Sequence, residues 1–164
     1  MHCALASTRG LAMTQAMEHD ERRCTVQTRV WVEEHDWLYG VFKSPQNTAP
    51  KFRLPDLLSA CVSLAVADDD GHQRLAPFLA TRLALRDPHT ERRSCDIWRI
   101  QFDQLMRAHR APWNRFPNPM FELDHLTTGC VALAMAEPEG ACLMLRQARL
   151  NLLARATASD LPVS

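Results

Sequence analysis

Two stretches of the chain are apolar on nearly every side. Residues 54–66 read LPDLLSACVSLAV, with Leu57, Leu58, Ala60, Cys61, Val62, Leu64, Ala65 and Val66 spread almost all the way round, and residues 122–135 repeat that character. A helix of this kind must be covered all round, so each stretch predicts a central, buried helix. Pro55 suits the first turn of the earlier one, and Asp56 complements the positive end of its dipole. In the later one Asp124 serves as N-cap or first-turn acid. Gly71 and Gly140 are expected to punctuate the far ends. The acids Asp68–Asp70, Glu137 and Glu139 suit the start of a further helix in each half, over about 72–86 and 141–155. Ahead of the first buried helix, CTVQTRVWV alternates: Val26, Thr28, Val30 and Val32 on one side, Thr25, Gln27, Arg29 and Trp31 on the other. This predicts a half-buried strand. EEHDWLYGVF then places Trp37, Leu38, Val41 and Phe42 on one helical face. In the second half Cys95, Trp98, Phe102, Leu105 and His109 keep helical spacing. One helix over 94–110 and a brief strand at 92–97 followed by a shorter helix both fit.

The halves are related. Sliding the sequence by 69 residues aligns residues 52–71 with 121–140, with nine of twenty positions identical. Most of the other pairs are conservative. Upstream, a shift of 67 aligns Val30 with Ile97, Trp31 with Trp98, Asp36 with Asp103, Leu38 with Leu105, Pro45 with Pro112 and Asn47 with Asn114. The expected organisation is an arm at residues 1–23 and two repeat units, 24–91 and 92–160, packed into one pseudo-twofold domain. The fold class is mainly α with a short β ribbon.

Composition narrows the function classes. The chain has 164 residues, 46% hydrophobic and 23% charged, as in an ordinary globular protein. Nineteen basic residues balance nineteen acidic ones, so no global attraction to nucleic acid or acidic membrane is built in. Lys43 and Lys51 are the only lysines, and the remaining basic residues are arginines. No apolar run approaches the ~20 residues of a membrane span. Six cysteines with no CxxC pair, no zinc-ligand spacing and no secretory leader are expected to be reduced thiols of a cytoplasmic protein. Glu33-Glu34-His35-Asp36 reads as a solvated first helical turn, and no phosphate loop, GxSxG or HExxH occurs. No enzyme, metal site or cofactor is expected.

The order of strand, amphipathic helix, loop and buried helix resembles the ribbon-helix-helix DNA-binding family. The first copy resembles it through TVQTRVWV, EEHDWLYGVF and LPDLLSACVSLAV, and the second mainly through ELDHLTTGCVALAM. The resemblance implies that two strands pair as an antiparallel ribbon in the DNA major groove over a core of second helices, here with both members on one chain. Its groove-facing positions fall on Thr25, Gln27 and Arg29 in the first copy and on Arg92, Ser94 and Asp96 in the second, of which Arg92 and Ser94 are the candidate contacts. Gln and Arg there can pair with adenine and guanine. RAHRAPWNRF adds Arg107, Arg110 and Arg115 as candidate phosphate contacts, or reads as a solvated loop. The implied function is sequence-specific binding of double-stranded DNA by a transcriptional regulator or accessory protein. The alternative is a helical protein-interaction module, an adaptor or inhibitor of mobile-element type, that binds a protein through an outer face with Trp31, Trp37, Trp98 and Trp113 or through the arm at residues 1–23. Association of two chains as a homodimer is left open. A strand within 91–100 paired antiparallel with 25–32 favours DNA, and a helix there favours the adaptor.

Overall fold

A computed structural model describes residues 24–68, 70–115 and 119–160; the expected N-terminal arm lies outside them. Strand β1 (Thr25–Trp31) runs directly into helix α1 (Val32–Lys43), and a loop leads to α2 (Leu54–Val66). Helix α3 (Gly71–Phe78) continues as a π-helical turn (Leu79–Leu83). Strand β2 (Arg92–Trp98), helix α4 (Arg99–His109), helix α5 (Leu123–Ala136) and helix α6 (Gly140–Asp160) follow. The fold is mainly helical with one two-stranded antiparallel sheet, as expected. Segment 92–98 is the strand, and the continuous helix is excluded. Backbone pairing decides: β1 offers β2 a full ladder, from Thr25 opposite Trp98 to Trp31 opposite Arg92.

The centre of that ladder is Thr28 opposite Cys95, two residues separated by the same 67 positions as the sequence match. Other contacts recur at the same offsets. Val32 N–H donates to the Glu91 carbonyl (2.9 Å) and Arg99 N–H to that of Cys24 (3.1 Å). Asn47 Nδ2 donates to the carbonyls of Phe42 and Phe52 at 3.1 and 2.9 Å, while its Oδ1 accepts from Phe52 N–H at 2.7 Å. Asn114 binds His109, Phe121 and the Phe121 N–H at 2.9, 3.0 and 2.8 Å. One buried amide thus closes each loop between amphipathic and buried helix.

Helices α2 and α5 form the centre of the core, with Leu57, Leu58, Val62, Leu126 and Val131 fully buried. Matched pairs Cys61 and Cys130, Leu64 and Leu133, and Ala65 and Ala134 line one small cavity of about 120 Å³ between them. Burial pushes the Cys95 and Cys130 thiols up to about 12 and Cys61 well above the usual range, so these are inert core groups. Leu75 and Leu79 lie over Gly129 of α5, where a Cβ would come within 3 Å of both side chains. Helix α6 packs on α2, and Cys61 Sγ meets Met144 Sδ at 3.3 Å.

Three expectations need correction. Gly71 and Gly140 are not left-handed helix stops: no glycine has positive φ among the described residues, and each glycine opens the following helix. They are needed for space, because a Cβ would collide with the Ala65 or Ala134 carbonyl of the preceding helix. The helix expected over 72–86 widens after Phe78, because Pro77 lacks an N–H and frees a carbonyl upstream. Ala84 N–H reaches back to Leu79, and the Thr81 hydroxyl binds the Pro77 carbonyl at 2.7 Å. Its counterpart has no internal proline and continues to Asp160. Finally, the tryptophans form no exposed face: Trp31 is buried, and Trp37, Trp98 and Trp113 are half-buried. Among the described residues no helix is long and apolar enough to cross a membrane.

Candidate nucleic-acid interface

The strand pleat sends Val26, Thr28, Val30, Cys95 and Ile97 toward α2 and α5, and turns Thr25, Gln27, Arg29, Ser94 and Asp96 outward. The five outward residues are exposed. Arg29 stands opposite Ser94, and Gln27 opposite Asp96. Thr25, Gln27, Arg29 and Ser94 make no side-chain hydrogen bond or ion pair with another described residue, so their polar groups face solvent. The outer face is therefore a short polar band with one cation and one anion.

Each end of the band is held by a tryptophan. Trp31 N–H donates to Thr128 Oγ1 of α5 at 3.0 Å, and Trp98 N–H to Ser59 Oγ of α2 at the same distance. The indole of Trp31 donates to Asp124 Oδ2 (3.4 Å) and that of Trp98 to Asp56 Oδ1 (2.7 Å). Arginines cover both rings: Arg92 and Arg86 over Trp31 at 4.7 and 5.9 Å, and Arg155 and Arg53 over Trp98 at 4.2 and 5.9 Å. Arg92 Nε also donates to Asp124 (2.8 Å), and its Nη1 to the carbonyls of Pro88 and Thr90. Arg92 thus serves to hold the ribbon on α5 and does not project from it. The N-termini of α2 and α5 already carry their own carboxylates: Asp56 accepts the Arg53 backbone N–H (3.0 Å), and Asp124 lies in the first turn of α5. Backbone groups there are less open to an external phosphate, whereas the side chains of Arg53 and Arg93 are exposed and ion-paired with Asp56 (3.8 Å) and Glu91 (3.6 Å).

Burial raises the pKa of Asp124, but Arg92, His125 and the Trp31 indole together outweigh it and hold the carboxyl below its usual value. The folded pKa is therefore below the unfolded value of about 3.9. The resulting stabilisation is present above about pH 4 and disappears as pH falls through the folded pKa. Asp124→Asn should cost about 1 kcal/mol at neutral pH, a figure kept small by partial exposure. It should also flatten the loss of stability below about pH 4 in urea melts; an unchanged acid limb would show that the ion pair contributes nothing.

Arg107, Arg110 and Arg115 are exposed, but the structure does not bring them to the ribbon. They lie at and beyond the C-terminal end of α4, whose first residue directly follows β2, so roughly 12 Å or more of helix separates Arg107 from the strand. Sequence reading found the outward band but not the tryptophan brackets. The pairing of Asp56, Asp124, Arg86 and Arg155 with the indoles spans distant segments, and the only local signal was the recurrence of Trp31 at Trp98. No family model, no curated protein and no solved structure matches the chain.

Proposed function

We propose that the chain binds double-stranded DNA in a sequence-specific way, as a non-catalytic regulator or accessory protein of the cytoplasm, with the ribbon laid in the major groove and both ribbon strands supplied by one duplicated chain. The observation that carries this reading is the antiparallel pairing of β1 and β2 with Thr25, Gln27 and Arg29 free on the outer side. A two-stranded ribbon fits the width of the groove, and Arg29 and Gln27 have the bidentate donors and acceptors that read guanine and adenine edges. Ser94 adds a hydroxyl beside Arg29. Phosphate contacts fall to Arg53 and Arg93, released from Asp56 and Glu91, with Arg110 and Arg115 left for DNA beyond the groove.

The test is selection of a binding site from random duplexes, followed by Arg29→Ala on the selected site. Affinity should fall by about tenfold or more, the equivalent of roughly 1–3 kcal/mol per bidentate contact, with the thermal midpoint unchanged. Equal binding by the variant, or no enriched sequence, would overturn the reading.

A second reading, a protein-binding adaptor or inhibitor, is favoured by zero net charge and by Leu150 and Leu153, which are 54% and 60% exposed on α6. Retention on heparin with steep salt dependence speaks for DNA; flow-through together with one co-purifying protein speaks for the adaptor.

A further inference from the structure

A hollow of about 420 Å³ opens between the end of α2, the start of α3 and the far end of α4. Its wall includes Asp68, His72, Gln104, Arg107 and Trp113. The rings of His72 and Trp113 are stacked at 5.9 Å with an interplanar angle of 20°. Gln104 Oε1 is buried and accepts no hydrogen bond among the described residues. A buried acceptor in that state costs free energy until a donor reaches it.

The other half of the molecule indicates what shape is missing. The counterpart of Gln104 is Trp37, whose indole packs against the start of α6, with Cζ2 3.6 Å from where a Cβ on Gly140 would sit. The residue matching His72 is Ala141, and Gly40 matches Arg107. In the first half, then, a protein indole occupies this corner between helices. In the second a smaller amide takes its place, while a cation and an imidazole are added around the opening.

We propose that this hollow binds a planar heteroaromatic molecule with a ring N–H or amino donor and an acidic group. The ring lies against Trp113 and His72 where Trp37 has its own indole, the Gln104 amide turns its Oε1 out of its buried position to accept from the donor, and the acid meets the Arg107 guanidinium. Asp68 favours a donor at the rim and disfavours a second anion. The volume is in the range of small-ligand sites. This inference does not depend on what the ribbon binds.

Two probes share that chemistry and distinguish its sources: adenosine 5′-monophosphate for a nucleotide, and indole-3-acetate for an indole acid. Calorimetric titration of the full chain should give saturable binding of at least one, accompanied by a shift of the Trp113 indole N–H resonance. Gln104→Trp, which rebuilds the counterpart residue, should abolish binding. Arg107→Ala should weaken it about tenfold. Should Gln104→Trp fail to fold, Gln104→Leu removes the acceptor at similar size and should also weaken binding about tenfold. Failure of both probes to bind, binding that survives the Gln104 variants, or equal binding of inorganic phosphate alone would each overturn the proposal.

Discussion

Gly140→Ala is expected to destabilise the protein by about 3 kcal/mol or more, as an overpacked site against rigid backbone does. In most helical positions this exchange would help, since alanine has the higher helix propensity. Here helix α6 starts so close to the end of α5 that the added methyl meets the Ala134 carbonyl oxygen and then its carbon. Backbone cannot rotate aside as a flexible side chain would, so the α5–α6 corner has to open. Opening it pulls Met144 and Ala148, both buried, out of the core. Gly71→Ala should behave the same way through the Ala65 carbonyl. Gly40 has nothing within 4 Å of its Cβ position, so Gly40→Ala is the control and should be neutral or stabilising. Urea denaturation of the three variants checks this; a loss below about 0.5 kcal/mol for Gly140→Ala would show that the corner is not tight.

Asn114→Ala should cost about 3 kcal/mol, and Asn47→Ala a similar amount. Each side chain is buried, and each makes three hydrogen bonds to the main chain at 2.7–3.1 Å. Truncation leaves two carbonyls and one N–H without partners, and orphaned groups cost more than the mean value of a hydrogen bond. No neighbouring side chain can substitute, because the amide alone has a donor pair and an acceptor in the required geometry. Asp at either site should be nearly as harmful, since a carboxylate cannot donate to the two carbonyls. The exposed neighbour Gln46→Ala should change stability by less than about 0.5 kcal/mol. Equal midpoints for Asn114→Ala and the unmodified chain would remove the loop clasp from the account.

What could be read in advance differed from segment to segment for physical reasons. The position of α2 was legible, because an element apolar almost all round has one way to be satisfied and Pro55 suits its first turn. Strand β1 was legible from alternation alone. Segment 92–98 was not, since Cys95 and Trp98 suit a helical stripe as well as a pleat, and the deciding hydrogen bonds come from residues nearly seventy positions away. The recurrence of Asn47 at Asn114 was visible, yet its task was hidden until the loop geometry placed three backbone groups around one amide. The outward positions Thr25, Gln27 and Arg29 came directly from strand parity, and that of Ser94 only from the resemblance to a paired ribbon. The fate of Arg92 did not: parity says which way it points, while Asp124 and Trp31 determine that it is held against α5.

The register centred on Thr28 and Cys95 has one more consequence. A dimer of identical strands offers the same side chains twice and suits a palindrome. Here a single polypeptide supplies two unlike rims, Arg29 and Gln27 along one and Ser94 and Asp96 along the other. Anything laid along this ribbon meets a surface with a head and a tail. On the DNA-binding reading proposed above, a duplex with inverted symmetry would satisfy only one of its halves, so a selected sequence should be asymmetric and bound in a single orientation.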